Sequence, residues 1–261
     1  MPKDTFKIAG KDFSSRLLVG TGKYENKDVA VHAIAASEAE IVTVAIRRVE
    51  LDKSLRSEPI LNYISPKKYT ILPNTAGCFN AKEAIRIARL GREILDGKNL
   101  LKLEVLKDKE TLLPLMDETL LAAKELVKDG FEIMVYCTDE LEYALKLEEI
   151  GCVAIMPLAA PIGSGQGIVN PDAINSIIEK ISQPVIIDAG IGTASEVTVA
   201  MEMGCDGVLL NTAIAKAKNP ALMAEAMKEA ARSGRKSFLA GRMKTDTKAN
   251  PSSPMKGIVN S

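Results

Sequence analysis

Eight short apolar runs alternate with seven longer amphipathic runs along nearly the whole 261-residue chain. This alternation predicts an α/β fold in which parallel strands are joined by right-handed helical crossovers. The length suits closure of the sheet into a (β/α)8 TIM barrel, read as one domain over residues 1–261 with a polar tail from about residue 243. Strand count alone does not separate a closed barrel from an open doubly wound sheet, so closure is an expectation from length.

The strand runs fall at 16–20, 41–45, 69–73, 100–106, 132–136, 153–158, 185–189 and 207–210. They are short and almost continuously apolar, the pattern of strands buried on both faces. Helical patterns occupy 26–37, 81–95, 118–128, 139–149, 171–181, 194–203 and 220–233. Pro171 after Asn170 suits a first helical position, and Gly130, Gly151, Gly204 and Gly234 sit where helices are expected to stop. Two stretches break the rhythm. Residues 46–66 carry Arg47, Arg48 and Arg56, and long loops in compact domains tend to be lids or binding loops. Residues 242–261 are polar, with Pro251, Pro254 and Gly257, and read as a tail or flap. Each charge in these stretches, taken singly, reads as solvated surface.

Composition excludes several function classes. Lys plus Arg equals Asp plus Glu at 34 each, which gives no global pull towards nucleic acid or anionic membrane. Trp is absent and aromatic residues are few, so a base-stacking platform is not expected. Cys78, Cys137, Cys152 and Cys205 form no C-x-x-C pair and read as buried free thiols. The single histidine, His32, lies in a helical stretch and reads as surface or packing. No run is long enough to span a bilayer and no signal-peptide core follows Met1, so a cytoplasmic location is expected.

The chemistry concentrates on Lys102 and Glu104, two apart in the otherwise apolar run LLKLEVL at 100–106. Strand side chains alternate with period two, so the pair shares one face. An ammonium and a carboxylate buried there are costly unless paired or used. A lysine in such surroundings can be partly neutral and attack a carbonyl to form an imine. A structural ion pair filling a barrel interior is the competing reading.

Active sites of such barrels lie at the C-terminal ends of the strands. Three glycine-bearing or turn segments follow the later strand runs: PIGSGQG at 161–167, DAGIGT at 188–193 and NTAIA at 211–215. Glycines admit a ligand close to the backbone, and the late loops of this fold are its common phosphate site. Ordinary tight turns would show the same residues. Asp188 closes the run Val185, Ile186, Ile187 and can act as acid or base near an imine, or simply cap a turn. A lysine nucleophile, two carboxylates and a phosphate cradle describe imine chemistry on a phosphorylated sugar or keto compound.

Longer stretches carry a family resemblance: LVGTGKY at 18–24, VTVAIRR at 42–48, LPNTAGC at 72–78, KLEV at 102–105, MPLAAPIGSG at 156–165, DAGIGT at 188–193, VLLNTAIA at 208–215 and LAGR at 239–242. Together, in this order, the chain resembles the bacterial thiazole synthase family of thiamin biosynthesis. The resemblance implies a (β/α)8 fold and a reaction that joins 1-deoxy-D-xylulose 5-phosphate, dehydroglycine and sulfur from a thiocarboxylated ubiquitin-like carrier protein of the ThiS type into a phosphorylated thiazole carboxylate. It places the imine on Lys102, the paired acid–base groups on Glu104 and Asp188, and substrate and phosphate contacts on Gly163, Ala189, Gly190, Asn211 and Thr212. It also implies a homo-oligomer, a tetramer, and no metal or organic cofactor. Two departures lie outside the catalytic stretches: Leu115 where an acid is expected, and Val135-Tyr136-Cys137 where a Pro-Tyr pair is expected.

Two other readings share these residues. An imine-forming aldolase or an isomerase would use the lysine and the phosphate site without a protein sulfur donor. A non-catalytic phosphate-metabolite binder would keep the pocket but not need the Lys102, Glu104 and Asp188 set.

Overall fold

In a computed structural model of the chain, which describes residues 4–47, 49 and 60–252, eight parallel strands close into a barrel. They are β3 (Leu17–Gly20), β4 (Ile41–Ala45), β5 (Thr70–Asn74), β6 (Leu100–Leu103), β7 (Glu132–Cys137), β8 (Ala154–Pro157), β9 (Ile186–Asp188) and β10 (Gly207–Leu210). Their order runs from β3 to β8 in sequence, and β10 joins β9 to β3. Parallel bridges Ile155–Val185 and Leu158–Asp188 tie β8 to β9 and complete the ring. The structure therefore resolves the choice left by strand count in favour of closure.

The helices are α1 (Lys27–Ser37), α2 (Ala81–Ile94), α3 (Met116–Lys128), α4 (Leu141–Ile150), α5 (Pro171–Lys180), α6 (Ala194–Glu202), α7 (Thr212–Ala215) and α8 (Pro220–Ala240). Local chemistry sets many of their ends. Asn26, Asn80 and Asn219 accept from the amides of Val29, Glu83 and Leu222, a side-chain cap at each start. Pro171 opens α5 and Gly151, at φ 104°, ends α4. One expectation fails: α8 continues through Gly234 to Ala240, seven residues beyond the predicted end at 233. A Cβ at Gly234 would lie 2.5 Å from the Thr198 carbonyl oxygen and 2.7 Å from Met201 Cβ. Gly234 thus lets α8 cross α6 closely rather than stopping the helix.

Alternation within the strands divides the core. Leu101, Leu103, Val105, Val135 and Cys137 pack outward beneath the helices. Leu18, Ile41, Leu72, Met134, Met156, Ile186 and Leu209 form an inner cluster, which an unanticipated hairpin completes with Phe6, Ile8 and Phe13. That hairpin pairs β1 (Phe6–Ile8) with β2 (Lys11–Phe13) through Ala9 and Gly10, both at positive φ as two-residue hairpin turns require. The Phe6 and Phe13 rings sit 6.0 Å apart. An apolar plug closes one end of the barrel, with the buried Arg16 over the Phe6 ring beside it, and the Lys102, Glu104 and Asp188 set lies towards the other end.

Other differences are local. β6 ends at Leu103, and Leu106 instead forms an isolated bridge with Pro114. The stretch read as a long loop is helical at Ile46, Arg47 and Val49, and Ile60–Asn62 form a single 3-10 turn. Arg48 and Arg56 lie outside the described residues, as does the tail beyond residue 252. Residues 242–252 are exposed and carry neither helix nor strand. All four cysteines are free and buried, His32 is exposed on α1, and no described helix is long and apolar enough to cross a membrane.

Candidate active site

The end of β6 and the end of β9 bring Lys102, Glu104 and Asp188 together inside the barrel. Lys102 Nζ lies 2.6 Å from Glu104 Oε1 and 2.6 Å from Asp188 Oδ2. Both oxygens lie at hydrogen-bonding distance from the ammonium, and the Glu104 contact is the better aligned of the two. All three residues are 4–5% exposed. The Tyr136 ring on neighbouring β7 stands 5.4 Å from the ammonium, within cation–π range.

Burial opposes charge on Lys102, but the carboxylates of Asp188 and Glu104 outweigh it and raise its pKa above the ordinary lysine value. The free site therefore holds an ammonium, not the partly neutral amine expected of a lysine in apolar surroundings. The reason is the second carboxylate, which comes from a distant strand. Asp188 shifts upward because burial disfavours its charge, and the Lys102 ammonium only partly reverses this. Burial, and then the two carboxylates, raise the Tyr136 phenol and keep it neutral. A proton on Lys102 thus faces a carboxylate of raised basicity at contact distance, an arrangement that can release the amine as a nucleophile.

Above the three residues opens a cavity of about 540 Å³ at the C-terminal ends of the strands. Gly163, Ala189, Gly190, Asn211 and Thr212 line it together with Lys102, Glu104 and Asp188, so every residue to which the family resemblance gave a catalytic or substrate role borders one space. Ala189 adopts φ 66° and Gly190 φ 79°. A non-glycine residue in the left-handed region is uncommon and marks a backbone held by its surroundings. A Cβ at Gly190 would meet the Ala160 backbone nitrogen at 2.3 Å, so the loops after β8 and β9 touch there. Glu196, on α6, accepts from the amides of Gly192 and Thr193 and fixes the rest of that loop. The Asn211 side chain fills the space beside Gly20, and its buried Oδ1 has no hydrogen-bond partner.

Sequence reasoning missed two charged residues of the cavity, Lys23 and Lys216, along with neutral lining such as Thr43 and Asn74. Lys23 stands at φ 65°, and its ammonium lies 3.5 Å from where a Gly163 Cβ would be. Thr212 Oγ1 is 3.6 Å from the same point. The only sequence signal was the presence of Lys23 within LVGTGKY, since nothing in its spacing points inward. Arg47 does not line the cavity: it pairs with Glu83 at the start of α2 and approaches Cys78 Sγ at 3.8 Å. Among the described residues no group of three or more His, Cys, Asp or Glu side chains is placed to hold a metal ion.

A closed barrel with an ionisable cluster and a cavity of small-molecule size at its C-terminal mouth has the form of an enzyme of the (β/α)8 class acting on small molecules. The model of one family, described as thiazole biosynthesis protein ThiG, matches residues 7–254, and the chain belongs to that family. It is 56% identical over 255 residues to the thiazole synthase of Thioalkalivibrio sulfidiphilus, covering 98% of this chain and 97% of that one. The thiazole synthase of Maricaulis maris is 58% identical over 253 residues, covering 97% and 94%. Among solved structures, the Amycolatopsis orientalis BexX/CysO complex matches with a TM-score of 0.82 and 34% identity, covering 93% of this chain and 98% of that one. A Pyrococcus furiosus thiamine phosphate pyrophosphorylase, at TM-score 0.55 and 15% identity over 84% and 95% of the two chains, shares the fold alone. At such identity over nearly the full length, this chain is an enzyme of thiamin biosynthesis that forms the thiazole unit.

Proposed function

We propose that the enzyme builds the thiazole on an imine between Lys102 and the ketone of 1-deoxy-D-xylulose 5-phosphate. The observation that carries this is the contact of Lys102 with two buried carboxylates at the base of the cavity. In this reading Asp188 or Glu104 takes the ammonium proton, the amine adds to the ketone carbon, and water leaves as the imine forms. The same carboxylates then remove and return carbon-bound protons while the carbonyl function migrates and sulfur enters. The phosphate rests among Gly163, Ala189, Gly190, Asn211 and Thr212, with Lys23 and Lys216 adding positive charge. Dehydroglycine supplies the remaining carbon and nitrogen.

Sulfur arrives on a ubiquitin-like carrier protein of the ThiS type. A solved relative that is a two-protein complex, BexX with CysO, supports a protein partner. The exposed segment 242–252 is a candidate contact for the carrier, whereas Arg47, already paired with Glu83, is a poor one. A single barrel domain with a tail from about residue 243, a homotetramer and a cytoplasmic location belong to the same proposal. Four buried free thiols support the last, and light scattering that reads a monomer would remove the tetramer.

Reduction with borohydride in the presence of 1-deoxy-D-xylulose 5-phosphate, followed by peptide mass mapping, tests the imine. The adduct is expected on Lys102, and an adduct on another lysine removes the central claim. Turnover should require the carrier thiocarboxylate; product formed from the sugar phosphate without it would favour aldol chemistry.

A further inference from the structure

Glu104 lies one residue beyond the end of β6, where the strand ladder no longer sets its backbone. Asn74 of β5 pairs in register with Lys102, and the Thr75 amide donates to the Lys102 carbonyl at 3.2 Å. In a regular parallel ladder the next bond would run from the Glu104 amide to the Thr75 carbonyl. Here that carbonyl accepts instead from the Cys78 amide, at 3.2 Å, as the chain turns towards α2. The Thr75 hydroxyl replaces the missing ladder bond. It accepts from the Glu104 amide at 2.8 Å and donates to the Glu104 carbonyl at 2.8 Å. One hydroxyl donor and one lone pair are thus both spent on a single residue, and Thr75 is fully buried, so no solvent competes.

We propose that Thr75 is a positioning residue whose hydroxyl holds Glu104 at the register where its carboxylate reaches Lys102. The proposal rests on the imine reading above. Its physical basis is that a carboxylate 2.6 Å from an ammonium loses its hydrogen bond, and roughly a quarter of its Coulomb attraction, if its Cα drifts outward by about an ångström. Lys102 is faced by Glu104, by Asp188 of β9 and by Tyr136 of β7. Loosening Glu104 leaves Asp188 as the one close anion, so the ammonium gives up its proton at lower pH.

The test follows the rate of borohydride-trapped Lys102 adduct with 1-deoxy-D-xylulose 5-phosphate across the pH range, in the full-length enzyme. Thr75→Val keeps the shape and removes the hydroxyl. At the pH optimum it should slow adduct formation by about tenfold or more, because the displaced carboxylate no longer serves in proton transfer, and it should move the pH profile downward, in the direction of Glu104→Gln. Thr75→Ser keeps the hydroxyl and should retain the wild-type profile. The double variant Thr75→Val/Glu104→Gln should match Glu104→Gln alone, because Thr75 acts through that carboxylate. Thr75→Ala serves if the valine variant does not fold, with the same displacement expected. A hydroxyl-free variant with the wild-type rate and profile overturns the proposal, as does a double variant slowed by the product of the single effects. No adduct on Lys102 in the unaltered enzyme overturns the imine reading itself. An adduct on Lys102 that is indifferent to Thr75 overturns the positioning role alone.

Discussion

Replacing Lys102 by methionine separates the charge of this side chain from its volume. The residue is 4% exposed and touches two carboxylates at 2.6 Å, each 4–5% exposed. At an effective dielectric constant of about 20, each contact is worth roughly 6 kcal/mol of Coulomb attraction. Desolvation of the three ions and repulsion between the carboxylates offset most of this. What remains is the cost of leaving buried charge without its partner, about 3–5 kcal/mol. Spread over the unfolding entropy of a chain of 261 residues, that is a fall in Tm of about 5–9 °C near neutral pH.

The sign of the pH dependence follows from the shifts. Lys102 is raised in the fold, burial being outweighed by Asp188 and Glu104, so its stabilisation is fully present below about pH 10.4 and is lost as the pH climbs beyond it. Asp188 is raised by burial, so its ionisation costs stability as the pH rises above about 3.9. Without the lysine that cost grows, and one carboxyl should retain a proton to higher pH. Lys102→Met should therefore lose much less stability at pH 5 than at pH 8. Thermal melts of both proteins at these two values, with adduct trapping alongside, measure it. Lys102→Arg keeps a cation and should keep more of the stability, yet form no adduct, because arginine is effectively never neutral. A Lys102→Met deficit independent of pH, or an undiminished adduct in Lys102→Arg, refutes the reasoning.

Glu104→Gln and Asp188→Asn should each lower turnover by roughly a hundredfold or more while leaving phosphate affinity near normal, measured by steady-state kinetics and calorimetry; near-normal turnover in both returns them to a purely structural role. Gly190→Val forces a side chain onto φ 79° and into the Ala160 backbone, so KM should rise more than kcat falls. Lys23→Gln should weaken substrate binding several-fold, and the difference from the unaltered enzyme should shrink as salt is raised; a salt-independent loss would deny Lys23 a charge role. Removal of residues 242–261 should abolish carrier-dependent sulfur transfer but leave the Lys102 adduct intact, which mass spectrometry and a thiazole assay read separately.

Much of this protein is written in local sequence. The alternation of strand and helix needs only the periods of side-chain direction, and the eight strands fall where apolar runs announce them. Lys102 and Glu104 share a face because they are two apart on an extended chain, and Asp188 ends an apolar run at the height where such barrels place their chemistry. The ordered motifs identified the family. What the sequence by itself left open depends on which distant segments meet. Closure required β8 and β9 to bridge, and the same closure put Asp188 against Lys102, whose two carboxylate neighbours favour the ammonium over the partly neutral amine that the apolar run allowed. Gly234 has the composition of a helix stop but serves as a crossing point, since α6 lies against it. Lys23 turns into the cavity from an early loop, and Thr75 lends a hydroxyl to a strand that has left its ladder. Periodicity is a property of neighbours along the chain, whereas a pKa, a close crossing or a borrowed hydrogen bond is a sum over neighbours in space.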